Sequence, residues 1–138
     1  MEAAGGAASE PNRAAPAPPE RLPARDLSRD PAVDERVAND PLCQSSSTAR
    51  IGAEGFAEQR RVRGAIAGGL QLPVRTYVIH GDADTIVPVE ASAPLEHDPN
   101  VTRRVYPGLR HGTHNEPEGP AVVADTIAWI RANALSRR

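Results

Sequence analysis

Large apolar residues are spread unevenly along the chain. Of the 26 Leu, Ile, Val and Phe residues, nine fall within residues 1–69 and seventeen within residues 70–138. The second half can assemble a modest core, whereas the first half alone cannot bury enough apolar surface to offset its ordering entropy. Residues 1–26 are Ala, Pro, Gly and Arg without period, and Pro16, Pro18 and Pro19 favour extended backbone, so a disordered tail is expected. From Leu27 to about Leu72 the chain is polar and Arg-rich. Asp30-Pro31 and Asp40-Pro41 punctuate it, because a residue before Pro is pushed out of the helical region, and a short helix over about 32–38 fits between them. Residues 53–70 lack Pro and place Val62, Ile66 and Leu70 at i, i+4 and i+8, which predicts a helix with one apolar stripe, ended by Gly68-Gly69.

The pattern changes at Leu72. Val74, Thr76 and Val78 alternate, Ile79 adds a second face, and Pro73 stands at the entry, which predicts a mostly buried strand to His80. Gly81 and Asp82 break it. Residues 88–96 predict a short helix with Pro in its first turn, and residues 102–106 a second strand closed by Pro107-Gly108. Over residues 119–135, Val123, Ile127, Ile130 and Ala134 lie at i, i+4, i+7 and i+11, the expected core face of an amphipathic helix. The order strand–helix–strand–helix is one parallel α/β unit. A sheet of two strands is too small for a comfortable domain, so this unit is expected to be the edge of a larger sheet and to self-associate through its exposed edge.

Composition narrows the function. A length of 138 residues allows one domain or less, and a formal charge of -2 gives no field for nucleic acid or an anionic membrane. All 16 basic residues are Arg, which excludes Schiff-base chemistry and a phosphate-cradling Lys. A single cysteine, Cys43, excludes an internal disulfide framework and a Cys-based zinc cluster. No stretch approaches the ~18 consecutive apolar residues of a membrane span. The start Met1-Glu2-Ala3-Ala4-Gly5-Gly6 has neither a basic nor an apolar signal region, so the cytoplasm is the expected compartment.

The residues with chemistry to offer sit in the two turns after the strands, His80-Gly81-Asp82-Ala83-Asp84 and Arg110-His111-Gly112-Thr113-His114-Asn115-Glu116. Ligands and catalytic groups gather at strand carboxyl ends in parallel sheets, and neighbouring strands lie ~4.8 Å apart, so an Asp after one strand can meet a His after the next. A carboxylate in that position fixes the imidazole tautomer and stabilises the imidazolium formed in proton transfer. On residue types alone, Asp82 or Asp84 could pair with His111 or His114, while His80 at a strand end suits packing. A metal site of His111, His114, Glu116 and Asp84 is the rival, against which stand the i,i+3 His spacing and the helix-breaking Gly112 and Pro117. Neither metal nor cofactor is expected.

From Leu27 to Ala134 the sequence resembles the carboxyl-terminal part of α/β-hydrolases of the monoacylglycerol lipase and lysophospholipase group, related to the S33 serine aminopeptidases. The matching words are Leu27-Ser28-Arg29-Asp30-Pro31, Asn39-Asp40-Pro41-Leu42, Leu72-Pro73-Val74, the His80–Pro88 run, the Tyr106–Pro117 run and Ala128-Trp129-Ile130. The resemblance implies a partial α/β-hydrolase fold: residues 1–26 as tail, 27–72 as the end of the lid over an acyl pocket, and 73–138 as the last strand–helix–strand–helix. It places the triad acid on Asp84 and the triad base on His111, with Asp82 structural, and a lipid-like carboxylic ester as substrate.

One departure stands beside these matches. The nucleophile elbow of that group is G-x-S-x-G. The Gly pairs four apart here are Gly64/Gly68, centred on Ile66, and Gly108/Gly112, centred on Arg110. Neither centre is Ser, and Ser45, Ser46 and Ser47 lie in a polar loop with no base to activate them. The expectation is therefore an acid and a base without a nucleophile, inactive alone. The alternatives are one half of a split hydrolase and a non-catalytic interaction module.

Overall fold

The computed structural model describes residues 24–43 and 48–134, so Ser45, Ser46, Ser47 and residues 1–23 of the expected tail lie outside the described residues. A 3-10 turn, Ala24–Asp26, opens the described chain where composition predicted tail through residue 26. Helix α1 (Pro31–Asn39) begins at Asp30, whose carboxylate accepts from the amide of Ala32 at 2.9 Å. Pro31 follows at a position where its missing N–H is no loss, and Asp40 turns extended ahead of Pro41. Helix α2 (Ala49–Ala67) is capped by Thr48, whose hydroxyl accepts from the amide of Ile51. It closes in a Schellman motif: Gly69, at φ +83°, donates to Ile66, and Leu70 donates to Ala65. No α2 residue is buried, and Val62, Ile66 and Leu70 line a shallow groove against residues 94–98.

Two parallel strands follow, β1 (Thr76–Gly81) and β2 (Val101–Tyr106), in register from Thr76 opposite Val101 to Gly81 opposite Tyr106. Strand β1 starts later than the alternation predicted. Its entry is occupied by side-chain bonds: Asp98 accepts from the amide of Leu72 at 2.6 Å, and Asn100 donates to the Leu72 carbonyl at 2.7 Å. Those bonds hold residues 72–75 against the turn before β2, and Val74 is 65% exposed. The strand is half-buried rather than mostly buried, with only Gly81 fully covered. Between the strands, Val89–His97 is a 3-10 helix containing Pro94, which lacks the N–H that a longer α-helical ladder would need.

A 3-10 turn, Thr113–Asn115, leads into helix α3 (Gly119–Ala134). The face expected to be core is not the one the described structure covers. Val123, Ile127 and Ile130 are 44–46% exposed, whereas Val122 is 1% exposed and packs with Tyr106, Leu109 and Ile79. Nothing is described of the Ala134 side chain. Periodicity groups residues onto one face, but it does not say which face the sheet covers. On the covered side Tyr77 stacks on Trp129 at 5.3 Å, and Tyr106 donates to Asp125 at 3.0 Å. Burial, then the hydrogen bonds to Tyr77 and Asp125, push the Tyr106 hydroxyl well above its usual pKa, so it stays a donor. Among the described residues each strand has one unpaired edge, and no helix is long and apolar enough to cross a membrane.

Candidate active site

The turn after β1 and the loop after β2 are joined by their backbones. Asp82 donates from its amide to the Tyr106 carbonyl at 3.1 Å, and Ala83 to the Leu109 carbonyl at 3.0 Å. The Asp82 carboxylate accepts from the amide of Gly108 at 2.6 Å. Gly81 makes this approach possible, because a Cβ there would lie 2.1 Å from the Leu109 carbonyl oxygen. Asp82 thus fastens the two turns and points no acid at a histidine.

Asp84 stands two residues further, its side chain 3% exposed. Its Oδ1 accepts from the amides of Ile86 at 2.8 Å and Val87 at 2.9 Å. Its Oδ2 lies 2.9 Å from His111 Nδ1. Burial raises the Asp84 pKa, but the Val87 amide, His111 and the Ile86 amide together outweigh it and hold the carboxyl below its ordinary value. An ionised carboxylate only accepts, so the His111 proton sits on Nδ1 and the lone pair on Nε2. The His111 side chain is 41% exposed.

The loop carrying His111 is clasped from behind by a residue that the sequence offered only as a metal ligand. Glu116 has a fully buried side chain. Its Oε1 accepts from the Arg110 amide at 2.7 Å, and its Oε2 from the Arg29 amide at 3.0 Å and Arg29 Nε at 3.1 Å. Buried Ser28 donates to the Asn115 carbonyl at 2.9 Å, and Gly112 donates to the Leu27 carbonyl at 2.7 Å. The Leu27-Ser28-Arg29 word is thus a structural clip for the His111 loop. With Glu116 turned inward, the rival metal set does not assemble, and among the described residues no group of three or more His, Cys, Asp or Glu side chains is placed to hold a metal ion. His114 is exposed on the following turn.

Burial pushes the Glu116 pKa up, yet the amides of Arg29 and Arg110 and the Arg29 charge bring it below its ordinary value. The clasp is therefore fully stabilising above the ordinary Glu pKa of ~4.3, and that stabilisation is lost as pH falls through the lowered folded value. In thermal melts across pH, Glu116→Gln should lower Tm at neutral pH and flatten the fall below about pH 4.3; Asp84, likewise held below its ordinary value, contributes to the slope that remains. A Gln variant that tracks the parent at every pH would refute the clasp.

A family model, serine aminopeptidase, S33, matches residues 7–118. The chain is 35% identical over 122 residues to a monoacylglycerol lipase of Mycolicibacterium smegmatis, covering 82% of this chain and 41% of that protein. Its structure superposes on the crystal structure of a Paleococcus ferrophilus monoacylglycerol lipase with a TM-score of 0.71 at 26% identity, over 80% of this chain and 44% of that one. The fold is that of an α/β-hydrolase, and the chain spans less than half the length of either relative.

Proposed function

We propose, from the premise that this chain belongs to the serine aminopeptidase S33 family, that it supplies the acid–base pair of a carboxylic ester hydrolase whose nucleophile lies outside these 138 residues. The observation that carries this reading is the 2.9 Å bond between Asp84 Oδ2 and His111 Nδ1, in the tautomer that leaves Nε2 as a base. In the reaction His111 Nε2 takes the proton of a serine hydroxyl as its oxygen attacks the ester carbonyl. Asp84 stabilises the imidazolium, which then protonates the leaving alcohol. Water repeats the cycle on the acyl-serine ester. The monoacylglycerol lipases among its relatives support a glycerol-type ester as substrate, and the tie between Leu27–Arg29 and the His111 loop supports residues 27–72 as the end of a lid.

The second reading is a non-catalytic interaction module, favoured by the absence of G-x-S-x-G from the sequence and by the uncovered apolar residues of α3. One experiment separates the two. Alone, the chain should sediment as more than a monomer, because the free edge of β1 and the Val123, Ile127, Ile130 face are open. Co-expressed with a family amino-terminal segment that carries the elbow, it should form a defined complex that hydrolyses p-nitrophenyl esters. A complex without turnover would favour the module, and a monomeric chain that takes no partner would contradict both.

A further inference from the structure

We propose that His80 is a positioning residue for the acid–base pair: it holds the Asp84 carboxylate in the orientation that keeps the His111 proton on Nδ1. The inference rests on the catalytic reading of Asp84 and His111, and goes beyond it by giving a second imidazole a part. The His80 side chain, 10% exposed, closes the end of β1 and uses both ring nitrogens. Nε2 lies 2.9 Å from the Val87 carbonyl oxygen. A carbonyl only accepts, so Nε2 carries the proton. The same nitrogen lies 3.4 Å from Asp84 Oδ2, the oxygen that holds His111. At that distance the contact is electrostatic rather than a full hydrogen bond. The stronger hold is indirect: Val87, whose carbonyl His80 engages, gives its own amide to Asp84 Oδ1 at 2.9 Å. His80 thereby pins both ends of the turn around the carboxylate.

The ring is itself fixed from the other side. His80 Nδ1 lies 2.7 Å from Ser92 Oγ, and Ser92 is buried in the 3-10 helix between the strands. Ser92 Oγ also accepts from Arg103 Nε at 2.8 Å, and Arg103 is paired with Glu96 and donates to the Val89 carbonyl. The single Ser92 hydroxyl proton has two acceptors in reach, His80 Nδ1 at 2.7 Å and the Val89 carbonyl at 3.2 Å, and the shorter contact is the one to His80. The chain of contacts runs from β2 through Arg103, Ser92 and His80 to Asp84. A histidine engaged only in packing would not need its donor nitrogen beside the acid that holds another histidine.

Two conservative variants separate positioning from folding. In His80→Asn the amide oxygen takes the place of Nδ1 and can still accept from Ser92, but the shorter side chain does not reach Val87 or Asp84. In His80→Gln the amide nitrogen falls near Nε2 and can still donate to Val87. The readout is the two-bond ¹H–¹⁵N correlation spectrum of the His111 ring in the 138-residue chain, taken with the ring neutral, because these shifts report which nitrogen carries the proton. The parent and His80→Gln are expected to show His111 protonated on Nδ1. His80→Asn is expected to drift toward the Nε2–H form that a free imidazole prefers, with the amide shifts of β2 unchanged. Retention of the Nδ1–H form in His80→Asn would overturn the proposal while leaving the Asp84–His111 pair intact, and so would a Gln variant as displaced as Asn. Absence of the Nδ1–H form from the parent would overturn the pair as well.

Discussion

Replacing His111 with alanine in the completed hydrolase should lower kcat by about 10³-fold or more, within the range seen when a triad member is removed. The expectation follows from the single role of Nε2. In the proposed mechanism it removes one proton and returns it, and among the described residues neither other nearby imidazole can stand in: His114 is exposed on the next turn, and His80 Nε2 is committed to the Val87 carbonyl. Asp84→Asn should be comparably severe. The amide could turn its NH₂ toward His111 Nδ1, and the ring would then place its proton on Nε2 and lose its basic lone pair there. His114→Ala should stay within a few-fold of the parent, since its loop is clasped by Glu116 and Gly112 and not by its own side chain. Equal damage from His111→Ala and His114→Ala, together with loss of activity to a chelator, would point to a metal instead.

Gly81→Ala should be strongly destabilising. The added Cβ would stand 2.1 Å from the Leu109 carbonyl oxygen and 2.7 Å from that of Arg110. Both obstacles are backbone, so no rotamer change relieves them. Overpacking of a well-filled site costs ~1–3 kcal/mol, and a backbone obstacle belongs at or above the upper end. For a small domain each kcal/mol shifts Tm by roughly 4–8 °C, so a fall of more than about 10 °C is expected in a melt followed by circular dichroism. The same displacement would separate the turn bearing Asp84 from the loop bearing His111. Gly108→Ala is the control. It strains a φ of +73° but meets nothing within 4 Å, so it should cost only ~1–2 kcal/mol. A Gly81→Ala variant as stable as the parent would mean that the two turns do not pack as described.

Much of this arrangement was legible in the chain itself. The helices were legible from the Asp30-Pro31 and Asp40-Pro41 breaks, the Val62, Ile66 and Leu70 spacing and the Gly68-Gly69 stop, whereas the Thr48 cap that starts α2 at Ala49, four residues before the expected start, was not read. The meeting of Asp84 with His111 was legible because parallel strands bring successive turns to one edge, and the words around them match a known family. The burial face of α3 was not. Val122 packs beneath the sheet while Val123, Ile127 and Ile130 stay open, and an apolar stripe is silent about which neighbour covers it. The long-range side-chain bonds left no pattern either. Glu116 reaches Arg29 across 87 residues and Asp82 reaches Gly108 across 26, with no periodicity linking the partners. His80 looked like a packing residue because its strand end suggested burial. Its nitrogen stands beside Asp84 only because the turn doubles back at Val87.

If this chain lends an acid and a base to a serine on another segment, active-site labelling will locate that serine. A fluorophosphonate reacts with a serine only where a base activates it. The chain alone should take no label. In complex with an elbow-bearing segment, the label should fall on the G-x-S-x-G serine of that segment, at a rate that collapses with His111→Ala. Stoichiometric label on any serine of this chain, or labelling of the complex that His111→Ala leaves as fast as in the parent, would contradict the account.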